Sequence, residues 1–226
     1  MKSNLTKYIE KKLNLSNSIF DLAVEYEYSC VPLSVIDAIY SIRLNYSTTK
    51  KIVKNYCEYY HIAIYKNDDN HKIHSVTDLI NNINEKGFES FATDVLESKN
   101  KTAGANPILK SEAVYYFAEI LRNNGIECFN DFKKADKEKL KRELLNVHGQ
   151  GMAVVNYFFM LCGDEDICKP DTHLLEFLTC AEERNVKPDE ALVLIKSAVS
   201  ELKKDYPNMT VRRLDYIIWL HRKLNL

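Results

Sequence analysis

Apolar residues recur along this chain at intervals of three and four rather than two. Val35, Ile36, Ile39, Tyr40 and Ile42 are representative, and few stretches alternate apolar and polar residues for long. The spacing predicts an all-α protein of roughly eleven to thirteen helices. The helix breakers fall at the ends of the predicted segments. Pro32 opens PLSVIDAIYSIRL, Gly125 closes SEAVYYFAEILRNNG, and Pro188 opens a helix expected to run to about Tyr206. Asp136, Asp171 and Thr210 each precede a helical segment and are expected N-caps. The least structured stretch is expected at Ser98 to Pro107, SKNKTAGANP, with a helix resuming near Leu109.

Composition narrows the class. At 226 residues the chain can bury a core without disulfides, and 46% hydrophobic with 28% charged residues excludes disorder. No apolar run reaches the roughly 18 residues needed to span a bilayer, and the N-terminus shows no signal-peptide pattern. A cytoplasmic protein is expected, with the nucleoid as its place in a bacterium, and no membrane association. The six cysteines are scattered and contain no Cys-x-x-Cys pair, so reduced thiols are expected and no metal site. With a net charge of −1 the chain is no polycation, so any nucleic-acid site must be a local patch. Charge is uneven along the chain: residues 163–190 carry nine acidic and three basic side chains, residues 196–226 seven basic and three acidic.

The segment richest in chemistry runs from Leu140 to Leu178. A helix is expected to end at Val147, Gly149 and Gly151 make a tight turn, and a second helix follows through Ala153 to Leu161. Glycines let a backbone approach closely, and the unpaired amides of a helix N-terminus attract phosphate. Twenty residues beyond Gly151, Lys169-Pro170-Asp171-Thr172-His173 places a carboxylate at the start of another helix. The hairpin Val147-His148-Gly149-Gln150-Gly151, the spacing and the Asp-Thr-His triplet together resemble the helix-hairpin-helix DNA glycosylase superfamily, of endonuclease III type. The resemblance extends more loosely over residues 30 to 226, including Leu214 to Trp219, which is similar to a Leu-Asp-x-x-Ile-Trp helix of uncharacterised members.

The resemblance implies an all-α, two-lobed fold with a cleft between the lobes: a central bundle over residues 32–155, and a second lobe from 1–31 plus 156–226. It implies double-stranded DNA as partner and base excision as the activity; the sequence does not fix the oligomeric state, and a monomer is favoured. Asp171 is then the catalytic carboxylate, and Val147, His148, Gly149, Gln150, Gly151 and Met152 bind the DNA backbone. Arg43 is the wedge candidate, and Tyr46 and Tyr157 are candidates for the base pocket. No cofactor is implied beyond a monovalent cation at the hairpin when DNA is bound. Lys101, Lys110, Arg212 and Arg213 are further candidates for phosphate contact.

The chain departs from the family pattern in two places. Bifunctional members carry a lysine two residues after the second hairpin glycine; here Ala153 stands there and has no nucleophile, so the resemblance supports a water-using, monofunctional enzyme. Only Cys180 lies beyond Asp171, so the four-cysteine iron–sulfur cluster of some members cannot form there. Two other readings stand beside the glycosylase: a catalytically silent DNA-binding relative, and a helical scaffold for protein partners in which the hairpin is only a turn.

Overall fold

The structure, a computed structural model, describes residues 2–15, 27–66 and 74–224. Among these residues there is no strand: the chain is helical, with isolated antiparallel bridges at Tyr28–Tyr65 and Lys101–Leu109. It divides into two compact units, Met1–Ala23 with Gly163–Leu226, and Val24–Cys162.

The first helix, α1 (Asn4–Lys12), belongs to the discontinuous unit. The continuous unit follows, with α2 (Val31–Tyr40), α3 (Tyr46–Tyr60), α4 (Val76–Lys86), the short α5 (Phe88–Ser90) running into a π-helical turn at Phe91–Val95, α6 (Lys110–Asn123), α7 (Phe129–Lys134), α8 (Lys137–Leu144) and α9 (Met152–Leu161). All ten residues of α2 are buried, and α3, α4, α6 and α9 pack around it. A helix apolar on every side has its lowest free energy at the centre of a bundle. Each fully buried Val, Leu or Ile there contributes about 1.5–3 kcal/mol. Beside it, Phe117 and Phe132 meet Phe158 edge-to-face at centroid distances of 5.0 and 5.6 Å, which fastens α9 to α6 and α7.

The discontinuous unit adds α10 (Thr172–Glu182), α11 (Pro188–Leu202) and α12 (Val211–Leu224) to α1. Leu5 and Ile9 of α1 are buried against Leu174, Phe177 and Leu178 of α10 and Ile195 and Leu202 of α11. The N-terminus is tied down as well: the Ser3 amide donates to the Glu201 carboxylate at 2.7 Å, and Lys2 pairs with Glu10 and Asp205.

Several limits differ from those expected. Helix α9 stays whole through Leu161 because its apolar face packs on α2, so residues 156–162 remain with the central bundle. Residues 27–31 also belong to it, since the Ser29 amide donates to Ile64 and its hydroxyl to Ala63. Of the N-terminal part expected in the other lobe, residues 16–26 lie outside the described residues. Helix α8 stops at Leu144 and α11 at Leu202, where Asp205 and Tyr206 amides fold back onto the Leu202 carbonyl. The 98–107 stretch is tied more firmly than its composition predicts, by Thr102 N–H to Ile108 C=O at 2.9 Å and Lys110 N–H to Asn100 C=O at 2.8 Å.

Candidate functional site

In the central bundle, the hairpin between α8 and α9 is a tight turn. The Val147 amide donates to Leu144 C=O at 3.2 Å, and the Gln150 amide closes onto Val147 C=O at 3.0 Å. Val147 and Gln150 are buried, so of the six residues expected at the DNA backbone these two have their amides already engaged inside the turn. His148, Gly149, Gly151 and Met152 are exposed. The two glycines do different work. Gly149 has φ +72, and a Cβ there would lie 2.5 Å from Thr102 Cβ and 2.8 Å from the Ala103 carbonyl oxygen. Gly151 is extended, and nothing lies within 4 Å of where its Cβ would be. It is the N-cap of α9 and supplies no side-chain cap; its carbonyl accepts the Val154 and Val155 amides at 3.0 and 3.2 Å, so the Met152 and Ala153 amides are the ones that precede the helix's own bonding. Ala153, at the position of the bifunctional lysine, is half-buried.

In the other unit, Asp171 caps α10 as expected, its Oδ1 accepting the Leu174 amide at 3.2 Å. Helix α10 ends at Glu183, whose φ of 53 terminates it in the left-handed region. The approach to Asp171 is rigid: Cys168 and Pro170 are buried, and the Asp171 amide donates to Lys169 C=O at 2.7 Å. Asp215 on α12 adjoins this stretch and was not singled out by sequence reading. Its side chain accepts the Lys169 backbone amide, and the residue is only 9% exposed. Burial, and then the charge of Asp171, push its carboxyl well above the usual carboxylate range, against the opposing pull of Lys169. An acidic residue amid the apolar positions Leu214, Ile217 and Ile218 of α12 was the signal in the sequence that could have flagged it.

One of the two pocket candidates, Tyr157, meets a buried carboxylate. Tyr157 O–H donates to the buried Asp37 Oδ2 at 3.3 Å, and Tyr28, unforeseen, donates to the same oxygen at 2.7 Å. Burial, the Asp37 charge and the neighbouring phenols of Tyr157 and Tyr46 hold the Tyr28 hydroxyl far above its ordinary acidity range. Tyr46 opens α3 with the Lys50 ammonium 4.9 Å from its ring centre. Arg43 is exposed on the turn between α2 and α3, at φ 59.

The phosphate candidates are corrected in two cases. Lys110 is buried, and its Nζ donates to the carbonyls of Ile42 at 2.7 Å and Tyr40 at 3.3 Å, so it caps the end of α2 beneath the Arg43 turn rather than meeting a phosphate. Burial, and secondarily the Arg43 charge, lower its pKa to about 8. Arg212 is buried too and pairs with Glu165 at 3.2 Å. Lys101 is exposed; Arg213 is partly exposed, with its guanidinium on Asn208 C=O. The described residues contain no cluster of His, Cys, Asp and Glu able to hold a metal, and none of their helices is long and apolar enough to cross a membrane.

The sequence model of a family described as "Domain of unknown function (DUF8548)" matches residues 3–223. No curated protein matches the sequence. Among solved structures, the crystal structure of the Clostridium acetobutylicum 8-oxoguanine glycosylase/lyase, in complex with double-stranded DNA containing cytosine opposite 8-oxoguanine, is similar at a TM-score of 0.53 and 16% sequence identity. The match covers 86% of this chain, which spans 61% of that one. At this identity the likeness is one of fold, and the all-α, two-lobed glycosylase-like architecture is shared.

Proposed function

From the premise that this chain belongs to the DUF8548 family and has a DNA-glycosylase fold, we propose that it acts, as a monomer, on double-stranded DNA as a monofunctional glycosylase. The observation that carries this reading is Asp171, a half-buried carboxylate at the head of α10, twenty residues beyond the open hairpin glycine Gly151.

A base inside the duplex cannot be reached, so its nucleotide must leave the stack, at a cost of a few kcal/mol that damage or mismatch reduces. Arg43, exposed on a strained turn that Lys110 holds from below, is the residue to fill the gap. The Met152 and Ala153 amides at the head of α9 take a backbone phosphate of the duplex. As the bond from C1′ to the base nitrogen lengthens, its electron pair goes to the base and positive charge grows on the sugar. The Asp171 carboxylate stabilises that charge. Its Oδ1 accepts the Leu174 amide, which orients the group, and a carboxylate retains a second oxygen for the reaction. Water then adds to C1′ as the Asp171 carboxylate takes one of its protons, and that proton passes on to the departed nucleobase; the products are the free nucleobase and an abasic site, with the carboxylate restored. With Ala153 in place of a lysine, no Schiff base forms there and no strand is cut.

One observation favours a second reading, a silent DNA-binding relative: helix capping by itself accounts for Asp171. Incubating the protein with duplexes carrying uracil, hypoxanthine, 8-oxoguanine, alkylated purines or mismatches, then cleaving abasic sites with alkali, separates the two. Release of one base type supports the glycosylase. Salt-dependent binding without release from any duplex supports the silent relative, and absence of binding overturns both.

A further inference from the structure

Two sets of hydrogen bonds fix the 163–171 loop, which carries Asp171, to its own unit. Both are based on α12. Thr210 O–H donates to Glu165 Oε2 at 2.6 Å, the buried Arg212 reaches Glu165 Oε1 at 3.2 Å, and the Arg212 amide donates to Glu165 C=O at 3.1 Å. These bonds moor the start of the loop that carries Asp171. One turn further along α12, the Asp215 carboxyl accepts the Lys169 amide. The Lys169 carbonyl in turn holds the Asp171 amide at 2.7 Å, and Asp171 Oδ1 holds the Leu174 amide at 3.2 Å. Buried Cys168 and Pro170 on either side of Lys169 remove the slack.

We propose that Asp215 is a positioning residue for Asp171, acting through the peptide of Lys169 to hold the Asp171 carboxylate in one place. The proposal rests on the reading of Asp171 as the carboxylate that serves base excision. A surface loop needs no buried acid to stay folded, and burying an acid costs free energy unless the group is bonded. Asp171 faces Asp215 from the loop, Lys169 opposes it weakly, and Cys168 beside them feels both carboxylates and Lys196 of α11. Burial, and after it the Asp171 charge, pushes the Asp215 carboxyl well above the usual carboxylate range.

The test uses Asp215→Asn, which keeps an acceptor for the Lys169 amide and mimics the neutral acid, and Asp215→Leu, which removes it. Single-turnover excision at saturating duplex should be close to wild type for Asp215→Asn. It should fall about 10- to 100-fold for Asp215→Leu, the cost of a small displacement of a reacting group, with duplex affinity unchanged. Wild-type rate in Asp215→Leu, or an equal loss in Asp215→Asn, overturns the proposal. A second readout needs no activity: carboxyl-carbon NMR titration of the wild-type protein and of Asp171→Asn. The Asp215 midpoint should lie above the ordinary carboxylate range and drop when Asp171 loses its charge. A midpoint in the ordinary range, or one indifferent to Asp171→Asn, overturns the proposal. If the wild type releases no base, the glycosylase reading fails separately, and the titration alone decides the pairing; it decides likewise if Asp215→Leu does not fold.

Discussion

Gly149 sits against Thr102 so closely that a Cβ on the glycine would come within 2.5 Å of the threonine Cβ. The hairpin is therefore built onto the 98–107 loop, and the loop's hydrogen-bonded shape is part of the hairpin's support. Gly149→Ala should destabilise the protein by about 1–3 kcal/mol, through both the left-handed φ and the clash. Gly151→Ala should cost less, up to about 1 kcal/mol, because its Cβ points into open space and only the preference of an N-cap for glycine over alanine is lost. Duplex affinity should nevertheless fall in Gly151→Ala, since the methyl group stands before the α9 amides. Thermal denaturation and binding at fixed salt check both; equal stability losses at the two positions would contradict the division of labour.

Asp171→Asn should keep the α10 cap, since Asn accepts the Leu174 amide as well as Asp does, while excision falls by about 100-fold or more. Asp171→Ala should lose in addition about 1 kcal/mol of stability. Melting curves and alkali-revealed excision on one duplex distinguish the roles; an Asn variant at wild-type rate removes Asp171 from the chemistry.

Borohydride added during turnover should trap no protein–DNA adduct. A Schiff base needs a lysine amine at the sugar, and Ala153 occupies the position where the resemblance implies one. A shifted band on a denaturing gel would mean that another amine attacks and that the enzyme is bifunctional.

Lys110 should leave a mark on stability against pH. Its pKa in the folded chain is lowered to about 8 from the ordinary 10.5, so between those values the unfolded chain holds a proton that the folded chain has released. Stability from this group therefore rises with pH across the window and is lost as pH falls through about 8. The difference in unfolding free energy between wild type and Lys110→Met should grow in favour of wild type across that range. A flat difference would mean that Lys110 titrates normally and that its grip on Ile42 and Tyr40 is loose.

Residue types and their spacing by themselves determined the helices, the caps at Asp136, Asp171 and Thr210, and the hairpin with its aspartate twenty residues on, because these depend on neighbours within a few positions. They could not separate Gly149 from Gly151, since the distinction is made by Thr102, 47 residues earlier in the chain. Nor could they tell that Lys110 and Arg212 are buried scaffolding rather than phosphate contacts, or that Tyr28 and Tyr157 meet on Asp37. Asp215 is the clearest case. On α12 it reads as one acid on an amphipathic helix, and only packing of α12 against the 163–171 stretch turns it into the buried partner of Lys169 and Asp171. Burial and long-range pairing set the charge state and orientation of a side chain, and both are properties of the tertiary structure.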